Sequence, residues 1–154
     1  MLIRRKKGIC ARTGILACFV FFGIHAITAM AADPDPIMGQ WNYSTTNRWV
    51  KGPVPDGRPS KGIVVITQTG DQFKMEFKSG MVFSPPELRY FTGRKQGLEY
   101  IFFNSARVDN EGGVAKNNCN LKLINAGHGK GKSYSQYSNR GTMFSWGFDI
   151  ELTR

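Results

Sequence analysis

The sequence predicts an all-β protein, an eight-stranded antiparallel up-and-down barrel, on three observations. The closing segment, Met143 to Arg154, alternates Phe144, Trp146, Phe148, Ile150 and Leu152 with Ser145, Gly147, Asp149, Glu151 and Thr153. That period of two marks a strand with one buried and one wet face. Seven further short strand-like stretches precede it, with no helical periodicity of ordinary length between them. The connections after the first, third and fifth stretches are long and those after the second and fourth are tight. In an up-and-down barrel such loops share an end, so the long ones gather at one mouth.

The start of the chain reads as a leader. Arg4, Arg5, Lys6, Lys7 and Arg12 precede an apolar run from Ile15 to Met30, and Ala29-Met30-Ala31 has small residues in the positions a processing enzyme requires. A basic head, a short apolar middle and a small-residue exit make a secretory signal peptide. The run is shorter than the roughly 20 residues that span a bilayer. Cleavage after Ala31 is expected, so no membrane span remains and the product is exported, periplasmic or secreted. Removing 1–31 leaves 123 of 154 residues, one domain by length. Five of the 21 basic residues go with it and none of the 11 acidic ones, so the net charge falls from +10 to +5. That is ordinary solubility charge, and no basic stretch interleaved with aromatics suggests a nucleic-acid partner. Cys10 and Cys18 also leave. Cys119 shares parity with Leu121 and Leu123, which makes it a buried thiol.

Residues 32–38, with Pro34 and Pro36, read as a flexible N-terminal arm, and 39–154 as the barrel domain. Gly39 to Tyr43 opens the first strand, with Trp41 and Tyr43 on one face, fading near Arg48. Trp49 to Lys61, with Pro53, Pro55 and Pro59, is a long loop. Ile63 to Gln68, a turn at Thr69-Gly70-Asp71, and the alternation of Phe73, Met75 and Phe77 form a hairpin. Ser79 to Glu87 is a second long connection. Leu88 to Thr92 is a short fourth strand, Gly93 to Gly97 a turn, and Leu98 to Asn104 a fifth strand. Ser105 to Asn117 is polar and reads as a third long loop. Asn118 to Ile124 is the sixth strand and Lys132 to Ser138 a weak seventh. These strands are shorter than the 9–11 residues of a membrane barrel, and the chain ends on Arg154, so that class is set aside.

Ala126-Gly127-His128-Gly129-Lys130-Gly131-Lys132-Ser133 fits a loose phosphate-loop pattern. The chemistry needs a helix whose first amides cradle the phosphates, and Ser133 to Ser138 is no helix opening. A glycine-rich turn between strands is the expected structure. His128 is the one histidine after residue 31, no serine or cysteine sits in a nucleophile context, and Glu76, Asp149 and Glu151 have outward parity. No catalytic residue, metal ligand or cofactor site is expected, and the protein is not expected to be an enzyme.

Gly39-x-Trp41 on the first strand and the terminal Arg154 on the last resemble the calycin superfamily, the lipocalin-like small barrels. In that superfamily a Gly-x-Trp motif packs beneath a basic residue of the last strand and closes the barrel bottom. The resemblance implies that Trp41 and Arg154 are barrel-closing structural residues; a barrel of this strand number either holds one small ligand or fills itself with side chains. Physical reasoning agrees on the first point. First and last strands of such a barrel are neighbours, and a guanidinium on an indole face is attracted by the ring. By parity the inward set also includes Tyr43, Phe73, Phe77, Phe144, Trp146 and Phe148, with Arg154 expected to be buried.

A non-catalytic binding protein for a small hydrophobic or aromatic ligand is therefore the expected function. Trp49 and Val50 in the loop after the first strand, with Tyr43, Phe77 and Trp146 inside, are the candidate ligand-binding residues. The alternative is a periplasmic protein-binding module, such as a protease or lysozyme inhibitor, acting through the long loops. A packed interior favours the second, an open cavity the first.

Overall fold

In the computed structural model, which describes residues 33–52, 59–110 and 112–154, eight antiparallel strands pair in chain order and the last pairs with the first. The result is a closed up-and-down barrel. The strands are β1 Gly39–Lys51, β2 Lys61–Thr69, β3 Gln72–Phe77, β4 Tyr90–Gln96, β5 Glu99–Arg107, β6 Val114–Asn125, β7 His128–Asn139 and β8 Thr142–Thr153. The expected leader (1–31) lies outside the described residues, as do Ala32 and the loop segment 53–58. The connections after β1, β3 and β5 are the long ones and share one end, as the loop pattern requires. No helix among the described residues is long and apolar enough to cross a membrane.

Several strands exceed their expected bounds. β1 runs 13 residues, and β6, β7 and β8 run 12 each. Length therefore does not separate this barrel from a membrane barrel. The outward rows of β6 and β7 are polar: Lys116, Asn118, Asn120 and Lys122 line the first, and Lys130 and Lys132 continue it on the second, all exposed. A membrane barrel carries an apolar band there.

Three boundaries differ from their expected places. Gly93, expected in a turn, lies inside β4 opposite Phe102. A Cβ on Gly93 would sit 2.6 Å from the Phe102 ring, so this glycine makes room for an aromatic in the core and does not turn the chain. The expected loop from Ser105 to Asn117 shrinks to 108–113, because Asn104 to Arg107 pairs with Val114 to Asn117. Leu88, expected in the fourth strand, belongs to a short 3-10 turn, Pro86–Arg89.

The barrel is packed solid at the end where β1 begins and β8 ends. Trp41, Val64, Ile66, Met75, Phe102, Leu121 and Leu152 point inward from successive strands and are fully or almost fully buried. Cys119 joins this core, and burial pushes its thiol up to about 12. The segment Asp35 to Met38, expected as an arm without structure, folds into a turn that drives Ile37 into the floor. Trp41 Nε1 donates to the Ile37 carbonyl at 2.8 Å, which satisfies the indole inside the core. Asp35 fixes the turn from outside, accepting from Lys95 Nζ at 2.8 Å, from the Tyr100 hydroxyl and from the Ile37 amide at 3.1 Å.

Arg154 lies over Trp41 as the sequence requires, its guanidinium carbon 4.1 Å from the ring centroid. It is exposed, however, and not buried. The side chain covers the floor from below and donates to the carbonyls of Pro36 and Met38, while its own amide donates to Gly127 O at 3.1 Å. An exposed edge solvates the charge, and the expected desolvation cost never arises.

Arg154→Ala is expected to lose about 0.5–1 kcal/mol for the cation–π contact. Deleting Thr153 and Arg154 should lower the urea midpoint further, since Thr153 pairs with both Asn42 and His128. Acid should loosen the floor. Burial pushes the Asp35 carboxyl up, but the hydrogen bonds from Lys95, Tyr100 and Ile37 and the Lys95 charge outweigh it and hold it below 3.8. Its contribution is complete above that value and is lost as pH falls through the lower folded-state pKa. Unfolding curves of Asp35→Asn should show a shallower acid decline than wild type.

Candidate functional site

The mouth half of the barrel is open. A cavity of about 880 Å³ begins above the packed floor and reaches the end where the long loops lie. Its strand walls come from the same alternation that packs the floor, with different residues. β3 and β4 contribute Phe77 and Phe91, and the β3–β4 connection folds Met81, Phe83 and Leu88 over them. Phe83 meets Phe77 at 5.4 Å and Phe91 at 6.5 Å between ring centroids, so this wall is one aromatic cluster.

β8 supplies Phe144, Trp146 and Phe148, half-buried along the cavity. Phe144 stacks on Tyr137 of β7, centroids 5.7 Å apart and planes 11° apart. The Tyr137 hydroxyl is bonded to Asp109, which also accepts from the Gly113 amide and so ties the β5–β6 loop to the barrel rim.

The cavity exists because the inward row of β7 is small. Gly129, Gly131, Ser133 and Ser135 face Leu152, Ile150, Phe148 and Trp146 across the ladder. At the floor, the large residues of neighbouring strands fill the space these small ones leave. Toward the mouth, Ser133 and Ser135 stand where a closed core would need bulk, beside Asn117 and Ala115 of β6.

The candidate ligand residues divide. Phe77 and Trp146 line the cavity. Tyr43 does not line it but holds residues that do: its hydroxyl donates to Ser79 O at 2.9 Å, accepts from the Met81 amide at 2.7 Å, and contacts Ser60 Oγ. Trp49 and Val50 do not line the cavity. They belong to β1 and not to the loop after it.

A bulge explains this. The β1–β8 register shifts between Thr46 and Trp49, with Asn47 at a φ of 49°. The extra residue reverses the parity of β1, bringing Arg48 to the cavity and sending Trp49 to the outer face. There the indole lies on Gly147, where a Cβ would approach within 2.5 Å, and its ring meets Tyr134 at 5.6 Å. Val50 sits opposite Trp146 in the ladder and is 44% exposed.

Asn117, Ser133, Ser135, Phe83 and Phe91 line the cavity without having been singled out from the sequence. The alternation of glycine and serine along β7 was the available signal, since small residues on an inward row imply space. The phosphate-loop-like segment is a turn at Ala126-Gly127 followed directly by β7, with no helix after it. His128 lies on the outward row of that strand, 2.7 Å from Glu151 Oε1. The described cavity lining contains no histidine, cysteine or carboxylate.

No family model, curated protein or solved structure matches the chain.

The rim has a direct test. Tyr43→Phe keeps the ring but removes the group that holds Ser79 and Met81. A loss of about 1–3 kcal/mol is expected, with hydrogen-exchange protection of the Met81 amide falling more than that of floor amides such as Ile66.

Proposed function

We propose that this chain is an exported, non-catalytic binding protein that holds one small hydrophobic or aromatic molecule in the mouth half of a lipocalin-like barrel. One observation carries the reading: the floor is packed while the mouth half is open, with aromatic side chains lining the space. Its volume falls in the roughly 300–1,000 Å³ range of small-molecule sites, which are mostly apolar with a few placed polar groups. An interior filled throughout would have favoured a module acting only through its loops.

Further support is of a different kind for each part. The stack of Arg154 on Trp41 supports the lipocalin-like reading, because it closes the barrel by the contact that the resemblance implies. The basic head and apolar run before residue 32 support export. A lining without histidine, cysteine or carboxylate supports binding over catalysis.

Titration with the neutral fluorophore N-phenyl-1-naphthylamine tests the function. Saturable binding with quenching of tryptophan emission is expected, since Trp146 lies in the wall. Ala115→Trp, which fills the cavity from β6, should reduce affinity at least tenfold while leaving the fold intact by circular dichroism. No saturable binding by wild type, or equal binding by the filled variant, contradicts the reading.

A further inference from the structure

The cavity walls differ chemically, and the difference bears on what the proposed ligand must carry. Phe77 on β3 lies four strands round the barrel from Ser133 and Ser135 on β7, so an aromatic wall faces a hydroxyl-bearing one. Asn117 stands beside Ser135 as its cross-strand partner. Both are largely buried, at 8% and 9% exposure.

The orientation of the Asn117 amide follows from its neighbour. Asn104 Nδ2 donates to two backbone carbonyls, Leu88 O and Tyr90 O, so the nitrogen of Asn104 must be on that side and its oxygen on the other. Asn117 Nδ2 donates to that oxygen at 2.7 Å. A relay anchored on backbone carbonyls thus leaves Asn117 presenting its own carbonyl oxygen as an acceptor. The hydroxyls of Ser133 and Ser135, which can donate or accept, make no side-chain hydrogen bond among the described residues.

We propose that the ligand is a neutral aromatic alcohol, a flat apolar ring system with a hydrogen-bond donor on one edge, and that Asn117 Oδ1 and Ser135 Oγ receive that donor. The proposal rests on the cavity being a ligand site. A fixed carbonyl acceptor favours a hydroxyl and repels an anion, and a wall that loses water without regaining a hydrogen bond penalises a ligand lacking the group. Arg48 is the cationic side chain among the described lining residues, and it already has an interaction of its own within the protein.

Three probes of one shape separate the possibilities: 2-naphthol, 2-methylnaphthalene and 2-naphthoate, titrated at pH 7 against wild type, Ser135→Ala and Asn117→Leu. Wild type should bind 2-naphthol about tenfold more tightly than 2-methylnaphthalene. That ratio should shrink several-fold in Ser135→Ala and approach one in Asn117→Leu, with 2-methylnaphthalene binding little changed. Asn117→Leu also takes a partner from Asn104, so Ser135→Ala, which removes a single hydroxyl, decides the matter if the other fails to fold. Equal wild-type affinities for the first two probes, or a ratio unchanged in Ser135→Ala, overturns the proposal and leaves the cavity reading standing. Tightest binding of 2-naphthoate overturns it in favour of recognition by Arg48. Failure of all three probes together with N-phenyl-1-naphthylamine overturns both.

Discussion

Closure of the barrel between β1 and β8 is the constraint on which the rest of the structure depends, and Arg154 on Trp41 is where it is fastened. One guanidinium touches three things at once: the indole face of the first strand, the carbonyls of the turn before it, and solvent. That turn carries Ile37, whose carbonyl in turn holds the Trp41 nitrogen. Floor, first strand and last strand are thereby one packed unit. The closed ladder leaves no unpaired strand edge, which an open sheet of this length would expose. Cys119 is a buried free thiol among the described residues, so within them packing and not a disulfide holds the barrel together.

A fastened floor determines where the empty space lies. Each layer of a small barrel must be filled by the residues pointing into it. In the floor, Trp41, Met75, Phe102 and Leu121 supply the bulk that Gly129 and Gly131 lack. Toward the loops the aromatic bulk comes mainly from β3, β4 and β8, with Tyr137 at the far end of β7, while the start of β6 and the middle of β7 supply alanine, asparagine and serine. The cavity is thus a consequence of which strand carries the small row and how far along it lies. Its aromatic cluster is held by ring–ring contacts, and its rim by the Tyr43 hydroxyl and by Asp109, so the walls are set before any ligand arrives.

The floor was legible in the sequence because its signals are local and its residues large. The alternation in β8, the Gly39-x-Trp41 pair and the terminal Arg154 each point inward by counting in twos. The site was less legible, for reasons that particular residues show. Counting in twos fails at Asn47, where a left-handed residue inserts a bulge and exchanges the faces of Arg48 and Trp49. Trp49, read from the sequence as a mouth residue in the loop after the first strand, belongs to β1 and lies on the outer face over Gly147. Asn104 and Asn117 made the end of β5 and the start of β6 look like loop, since polar residues on an inward row break the apolar pattern. One hydrogen bond joins them inside the barrel, a pairing between strands that no local window reveals. The glycines and serines of β7 looked like a weak strand beside a turn, and that weakness was the cavity.

The central claim is that one barrel is a packed plug at its closed end and a container at its mouth. Backbone amide shifts recorded by NMR during saturation with N-phenyl-1-naphthylamine test it most directly. The account predicts that shifts concentrate at Phe77, Phe91, Ser135 and Trp146, while Trp41, Ile66, Met75 and Leu152 stay put. Shifts confined to the outer face around Trp49 and Tyr134, or spread evenly through floor and mouth, would contradict it.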